Sequence, residues 1–129
     1  MILKPYKGKW PQIHPNAWIA ENATIIGDVT IEEHASIWYG AVLRADHMPI
    51  RVGKNTNIQD LVLCHGDGDA PVVIGDNCTI GHCAIVHGCV IEDHSLIGMG
   101  ATLLNNCHIG RDSLVAAQSL VRGGMEVPP

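Results

Sequence analysis

Aliphatic residues recur every six positions along the chain, at Ile13, Ile19, Ile25, Ile31, Ile37 and Leu43. The period resumes at Val52 and Ile58, and again at Ile74 and Ile80. It slips by one residue near Ile85 and Val86, then runs through Ile91, Ile97, Leu103, Ile109, Val115 and Val121. Four positions after these aliphatics stand small residues, among them Ala17, Ala23, Ala35, Ala41, Thr56, Cys78, Ala84, Ser95, Ala101 and Cys107. Gly and acidic residues often follow directly, as in Ile74-Gly75-Asp76-Asn77 and Ile109-Gly110-Arg111-Asp112.

A helix spaces its apolar residues by three and four, and a half-buried strand alternates by two. A strict six fits neither. It fits a coil of three short strands: the aliphatic points inward, the small residue occupies a tight corner, and turn-tolerant residues surround it. Stacked coils pair edge to edge, so each backbone N–H and C=O finds a partner in the coil above or below. Residues 13–121 therefore predict a parallel β-helix of hexapeptide repeats, with about six coils of about 18 residues. The chain reads as a single all-β domain, 1–129, with residues 1–12, including Tyr6 and Trp10, as an N-terminal cap.

Composition sharpens this picture. Apolar residues make up 47% of the chain, enough for a packed core, and the absence of Phe beside 14 Gly suits a narrow interior. No apolar run approaches the ~18 residues of a membrane span. The N-terminal Met1–Tyr6 lacks the long apolar stretch of a signal peptide, so a cytoplasmic location is expected. A net charge of −5 argues against nucleic acid or an anionic membrane as partner. The five cysteines form no C-x-x-C pair and are odd in number, which predicts reduced core thiols rather than disulfides.

In a solenoid, departures from the repeat become loops on one face, often the functional one. Two departures stand out, Arg44–Ile50 and Cys64–Pro71. His65, His82 and His87 flank or follow the second. The step from 65 to 82 is 17 residues, close to one coil, which predicts similar corners on adjacent coils for these two side chains. The five-residue step to 87 puts the last pair nearly one face apart, so a neighbouring subunit could be needed to complete the set. Three neutral imidazoles with an open fourth position would make a catalytic metal site; the alternative is a set of surface histidines. His14, His34, His94 and His108 read as ordinary corner residues.

The motifs are more specific than the repeat. Ser36-Ile37-Trp38-Tyr39-Gly40-Ala41-Val42-Leu43-Arg44-Ala45-Asp46, Asn57-Ile58-Gln59-Asp60, His65, Ile80-Gly81-His82-Cys83-Ala84-Ile85-Val86-His87-Gly88-Cys89 and Ile97-Gly98-Met99-Gly100-Ala101 follow one another in order. In these the chain resembles the γ-class carbonic anhydrase-like family over essentially its whole length. Ala45 departs from the family's usual Gly, and the family's usual C-terminal helix after the double proline is expected to be absent, since the sequence ends at Pro129. The resemblance implies a left-handed β-helix that assembles as a homotrimer with metal sites between subunits. His65 and His87 would come from one chain and His82 from the next.

It also implies Zn2+, with Fe2+ or Co2+ as alternatives for imidazole ligands. The reaction would be reversible hydration of CO2 to bicarbonate by a metal-bound hydroxide. Arg44 and Asp46 resemble the family's interface ion pair, and Gln59 the residue that hydrogen-bonds the hydroxide. Asn57 and Asp60 are expected as structural neighbours. His47, or else Asp67 and Asp69, is expected to take the proton. The rival readings are a metal-dependent acyl-CoA thioesterase, a hexapeptide acyltransferase and an inactive trimeric metal-binding scaffold. Cys64 and Cys83, each beside a proposed ligand, are candidates for oxidative control.

Overall fold

A computed structural model describes all residues, 1–129, as short strands joined by turns, with no helix. Every pairing between strands is parallel. One ladder stacks Trp18–Ile19, Ser36–Ile37, Asn57–Ile58, Thr79–Ile80, Leu96–Ile97 and Leu114–Val115. The other two faces form one continuous sheet, because Val42–Val52 runs unbroken around a corner. Its first part pairs with Leu63–His65 and its last part with Val72–Ile74.

The six-residue period is the depth of this core. Ile25, Ile31, Ile37, Leu43, Ile58, Ile74, Ile80, Ile91, Ile97, Leu103 and Ile109 are fully buried. Ala23, Ala35, Ala41, Cys78, Ala84 and Ala101 sit equally buried at the corners, where anything larger would push the chain outward. Val86, six residues after Ile80, faces inward and Ile85 does not, so the slip falls between Val86 and Ile91. Buried hydroxyls at the corners are answered rather than stranded. Thr56 Oγ1 donates to the Gly75 carbonyl at 2.7 Å and accepts from Cys78 N at 3.0 Å. Ser95 Oγ donates to the Gly110 carbonyl at 3.0 Å, so no buried side-chain polar atom lacks a partner.

Several expectations change. The stack has about seven turns instead of six, because it extends at both ends: Ile2–Lys4 pairs with Thr24–Ile26, and Glu126–Val127 pairs with His108–Ile109. Residues 1–12 thus supply a strand of the ladder. The first interruption, Arg44–Ile50, is not a free loop. It lies within the strand Val42–Val52, where Gly27 pairs with Ala45 but Val29 pairs with Ile50. Asp46–Pro49 therefore stand opposite Asp28 alone, a bulge that leaves pairing intact on both sides. The second interruption is a loop, closed by a hydrogen bond from Ala70 N to the Asp67 carbonyl at 2.9 Å. His108 is not a corner residue but sits on a strand, between Glu92 and Glu126.

Leu61 turns a corner at φ 63° with its side chain 63% exposed, a left-handed conformation that bulky residues resist. Asn55, Asn77 and Asn106 take the same conformation at other corners. Leu61→Asn is expected to raise unfolding stability by about 0.5–1 kcal/mol, read as a higher urea midpoint at unchanged slope.

Candidate metal centre

Side chains alternate along the strand Leu63–His65, so Cys64 points into the core and His65 points out. The same alternation turns Val86 inward and His87 outward on Ile85–His87. The two strands are neighbours in register, with His65 directly opposite His87. The histidines one coil apart are thus 65 and 87, separated by 22 residues, and not 65 and 82. The spacing argument failed because the loop at 66–71 lengthens that coil. A 17-residue step there falls short and lands on a different corner.

His65 Nδ1 lies 3.1 Å from His87 Nε2, with the ring centroids 5.1 Å apart. The outer nitrogen of each ring is held from the opposite side. His65 Nε2 is 2.9 Å from Asp46 Oδ1, and Asp46 Oδ2 accepts from Arg44 at 2.8 Å. His87 Nδ1 contacts Asn105 Oδ1, while Asn105 Nδ2 donates to Asp67 Oδ1 at 2.6 Å. A carboxylate and an amide oxygen can only accept, so the protons belong on His65 Nε2 and His87 Nδ1. What remains is two lone pairs facing each other at 3.1 Å. A cation between them, a metal ion or a shared proton, answers both. Two imidazole nitrogens at about 2.0–2.1 Å from a tetrahedral zinc stand about 3.3 Å apart, so the donor pair fits a metal with only a small shift.

Electrostatics agree with this wiring. Partial burial acts to raise the Asp46 carboxyl, but the His65 hydrogen bond and the Arg44 guanidinium outweigh it and hold the group below the usual carboxylate range. Asp67 is also lowered, first by the Asn105 amide and then by the nearby histidines. Arg44 and Asp46 are ion-paired with each other at 2.8 Å. His47 lies on the bulge, exposed, with its ring 6.2 Å from that of His65. Asp69 is exposed in the loop.

His82 belongs elsewhere. It turns the corner after Thr79–Ile80, exposed, with Nδ1 3.0 Å from Asp60 Oδ2. It opens onto a cavity of about 400 Å³ with Ser36, Trp38, Asn57, Gln59 and Asp60. Gln59 Nε2 donates to Asn57 Oδ1 at 3.1 Å there, so Gln59 accompanies His82 and not the His65–His87 pair. Within one chain no three His, Cys, Asp or Glu side chains converge on one point.

The cysteines are unpaired, four of them buried and Cys83 exposed. Burial pushes the Cys64 thiol up to about 12, whereas Cys83, beside His82, is exposed. Asn105 went unnoticed in the sequence, although counting one coil of 18 residues from His87 leads directly to it.

A sequence profile described as bacterial transferase hexapeptide (six repeats) matches residues 11–45 and 88–123. The chain belongs to this hexapeptide-repeat family. A hexapeptide transferase family protein from Anaplasma phagocytophilum superimposes with a TM-score of 0.91 at 43% identity, covering 98% of this chain and 75% of that one. Among curated proteins, the chain is 44% identical over 126 residues to "Gamma carbonic anhydrase 2, mitochondrial" of Arabidopsis thaliana, covering 93% of this chain and 45% of that protein. It is 43% identical over 109 residues to "Carbonic anhydrase" of Geobacillus kaustophilus, covering 84% and 60%. The γ-class resemblance read from the motifs is therefore real. The chain spans about half the length of the curated relatives it matches first.

Proposed function

We propose that this hexapeptide-repeat chain acts as a γ-class carbonic anhydrase-like metalloprotein that hydrates CO2 to bicarbonate. The observation that carries the reading is the facing pair of lone pairs on His65 Nδ1 and His87 Nε2, 3.1 Å apart. Both tautomers are set by acceptors behind the rings, so the pair is built to receive a cation. His82 of the partner subunit would complete the ligand set in a homotrimer, and the exposed Leu96, Met99 and Leu114 give its face apolar area for a partner to cover. The donor set suits Zn2+, and also Fe2+ or Co2+. Such an ion supplies a water acidified to a pKa of about 7.

The chain's own residues do the rest. Asp46 orients His65 and spreads charge to Arg44. Gln59, beside His82, offers the amide that would orient substrate oxygen. His47 would accept the proton; its exposure beside His65 supports this, and Asp67 is engaged by Asn105. A second reading, acyl transfer or acyl-CoA hydrolysis, is favoured by one feature. An open apolar groove of about 360 Å³, lined by Leu96, Met99, Leu114 and Ala117, runs past Gly81 next to His82.

The test is stopped-flow CO2 hydration by protein prepared anaerobically and loaded with zinc, cobalt or iron(II). Wild type is expected to exceed His82→Ala by more than about 100-fold, since even partners outside the ligand set are worth about 10–100-fold. Equal rates from folded, metal-loaded proteins would overturn the anhydrase reading and leave acyl-group chemistry and a non-catalytic scaffold.

A further inference from the structure

We propose that Asn105 is a positioning residue for His87: its amide, locked by Asp67, selects the tautomer that turns His87 Nε2 toward His65. The proposal rests on the metal-site reading above and concerns a residue that lies outside the three expected ligands.

An amide alone cannot select a tautomer, because its two ends are nearly the same size and one donates while the other accepts. Turned one way, Asn105 accepts from His87 Nδ1–H and leaves Nε2 free to bind. Turned the other way, its NH2 would donate to Nδ1, and the ring proton would move to Nε2, where it blocks the site. Asp67 removes the choice. Its carboxylate only accepts, and it takes Asn105 Nδ2 at 2.6 Å, so Oδ1 is the end left for His87. The relay runs Asp67 to Asn105 to His87, and it mirrors the relay Arg44 to Asp46 to His65 on the other ring.

The backbone is shaped to hold this amide in place. Asn105 sits one coil beyond His87, and its carbonyl accepts from Gly124 N at 3.0 Å. The next residue, Asn106, donates its N–H to the Gly88 carbonyl at 2.7 Å. Gly88 itself follows His87 at φ +60°, and a Cβ there would press on Asn105 Oδ1 and, at 2.8 Å, on the Ala70 side chain. A glycine at 88 leaves the amide room to reach His87 Nδ1. Asp67 reaches across from the loop at 66–71, a segment 38 residues away in sequence. The insertion that lengthens this coil thus also delivers the group that sets the amide.

The readout is the imidazole tautomer itself, followed by nitrogen-15 NMR on the metal-free protein, together with zinc affinity from chelator competition. Wild type is expected to show His87 protonated at Nδ1. Asn105→Leu, alike in heavy-atom count and branching but without polar atoms, is expected to lose that preference and to weaken zinc binding by about 10–100-fold. The double variant Asn105→Asp with Asp67→Asn keeps an acceptor facing His87 and a donor opposite it, and is expected to retain the tautomer, with zinc affinity within about threefold of wild type. Asp67→Ala, a change at an exposed site, is expected to give a mixture of tautomers and an intermediate affinity. A wild-type His87 protonated at Nε2 overturns the proposal, as does an unchanged tautomer in both Asn105→Leu and Asp67→Ala. Absence of zinc binding in wild type would instead sink the metal-site reading, because the metal-free tautomer measurement decides the role of Asn105 by itself.

Discussion

Chains carrying His65→Ala and chains carrying His82→Ala are each expected to lose CO2 hydration, and their co-expression is expected to restore about a quarter of it. The reason is geometric. His65 and His87 stand in register on neighbouring strands, whereas His82 turns a different corner beside Asp60 and Gln59. In a closed trimer built head to tail, each site would draw the pair from one chain and His82 from the next. A mixed site is intact when the chain giving the pair carries His82→Ala and its neighbour carries His65→Ala. Random assortment produces that arrangement at about one site in four. Hydration by the whole co-expressed population is the measurement. Trimers isolated as mixed through a different affinity tag on each variant should reach about a third, because each then holds one intact site in three. No recovery in trimers shown to contain both chains would mean that the ligands are not shared across an interface.

Ile80→Ala is expected to destabilise the fold by about 2–5 kcal/mol, as truncation of a fully buried aliphatic does when its surroundings cannot close over the gap. The solenoid leaves little room for closure. Ile80 is stacked between Ile58 and Ile97 on its ladder, all three with no exposed surface. Coils contact only their neighbours, so the defect is felt at two junctions and is not averaged over a large core. The same coil carries His82 just beyond the strand Thr79–Ile80, so the substitution should also loosen that corner. Urea unfolding followed by circular dichroism measures the loss. A cost below about 1 kcal/mol would show that the coils relax inward more freely than their spacing suggests.

The fold was legible because one distance, six residues, is repeated in the sequence and in the core. Ile25, Ile31 and Ile37 are named by counting, and so is Val86, six residues after Ile80 and just before the slip. What counting could not resolve lies at the insertions. Arg44–Ile50 breaks the period yet stays paired on both sides, because a parallel ladder absorbs the extra residues as a bulge and resumes pairing in a shifted register. The loop at 66–71 lengthens its coil, and a spacing rule tuned to about 18 residues then paired His65 with the wrong histidine. The motif resemblance set His65 with His87 in one chain, as the structure does, whereas spacing alone did not. Which residues meet depends on coil length, and so does Asn105, which belongs to no motif and is visible only once the coils are laid on top of one another.

The opposition of His65 and His87 has a mechanical side. Each belongs to a different turn of the stack, so any ion gripped by both acts as a rivet through one rung of the ladder. In a structure whose strength is the sum of its rungs, such a rivet would leave distant turns as they are and stiffen one joint. The joint it would stiffen is the one interrupted by the long loop, where the even pitch of the spring is broken. The fold would thus carry its chemistry and its reinforcement at the same rung.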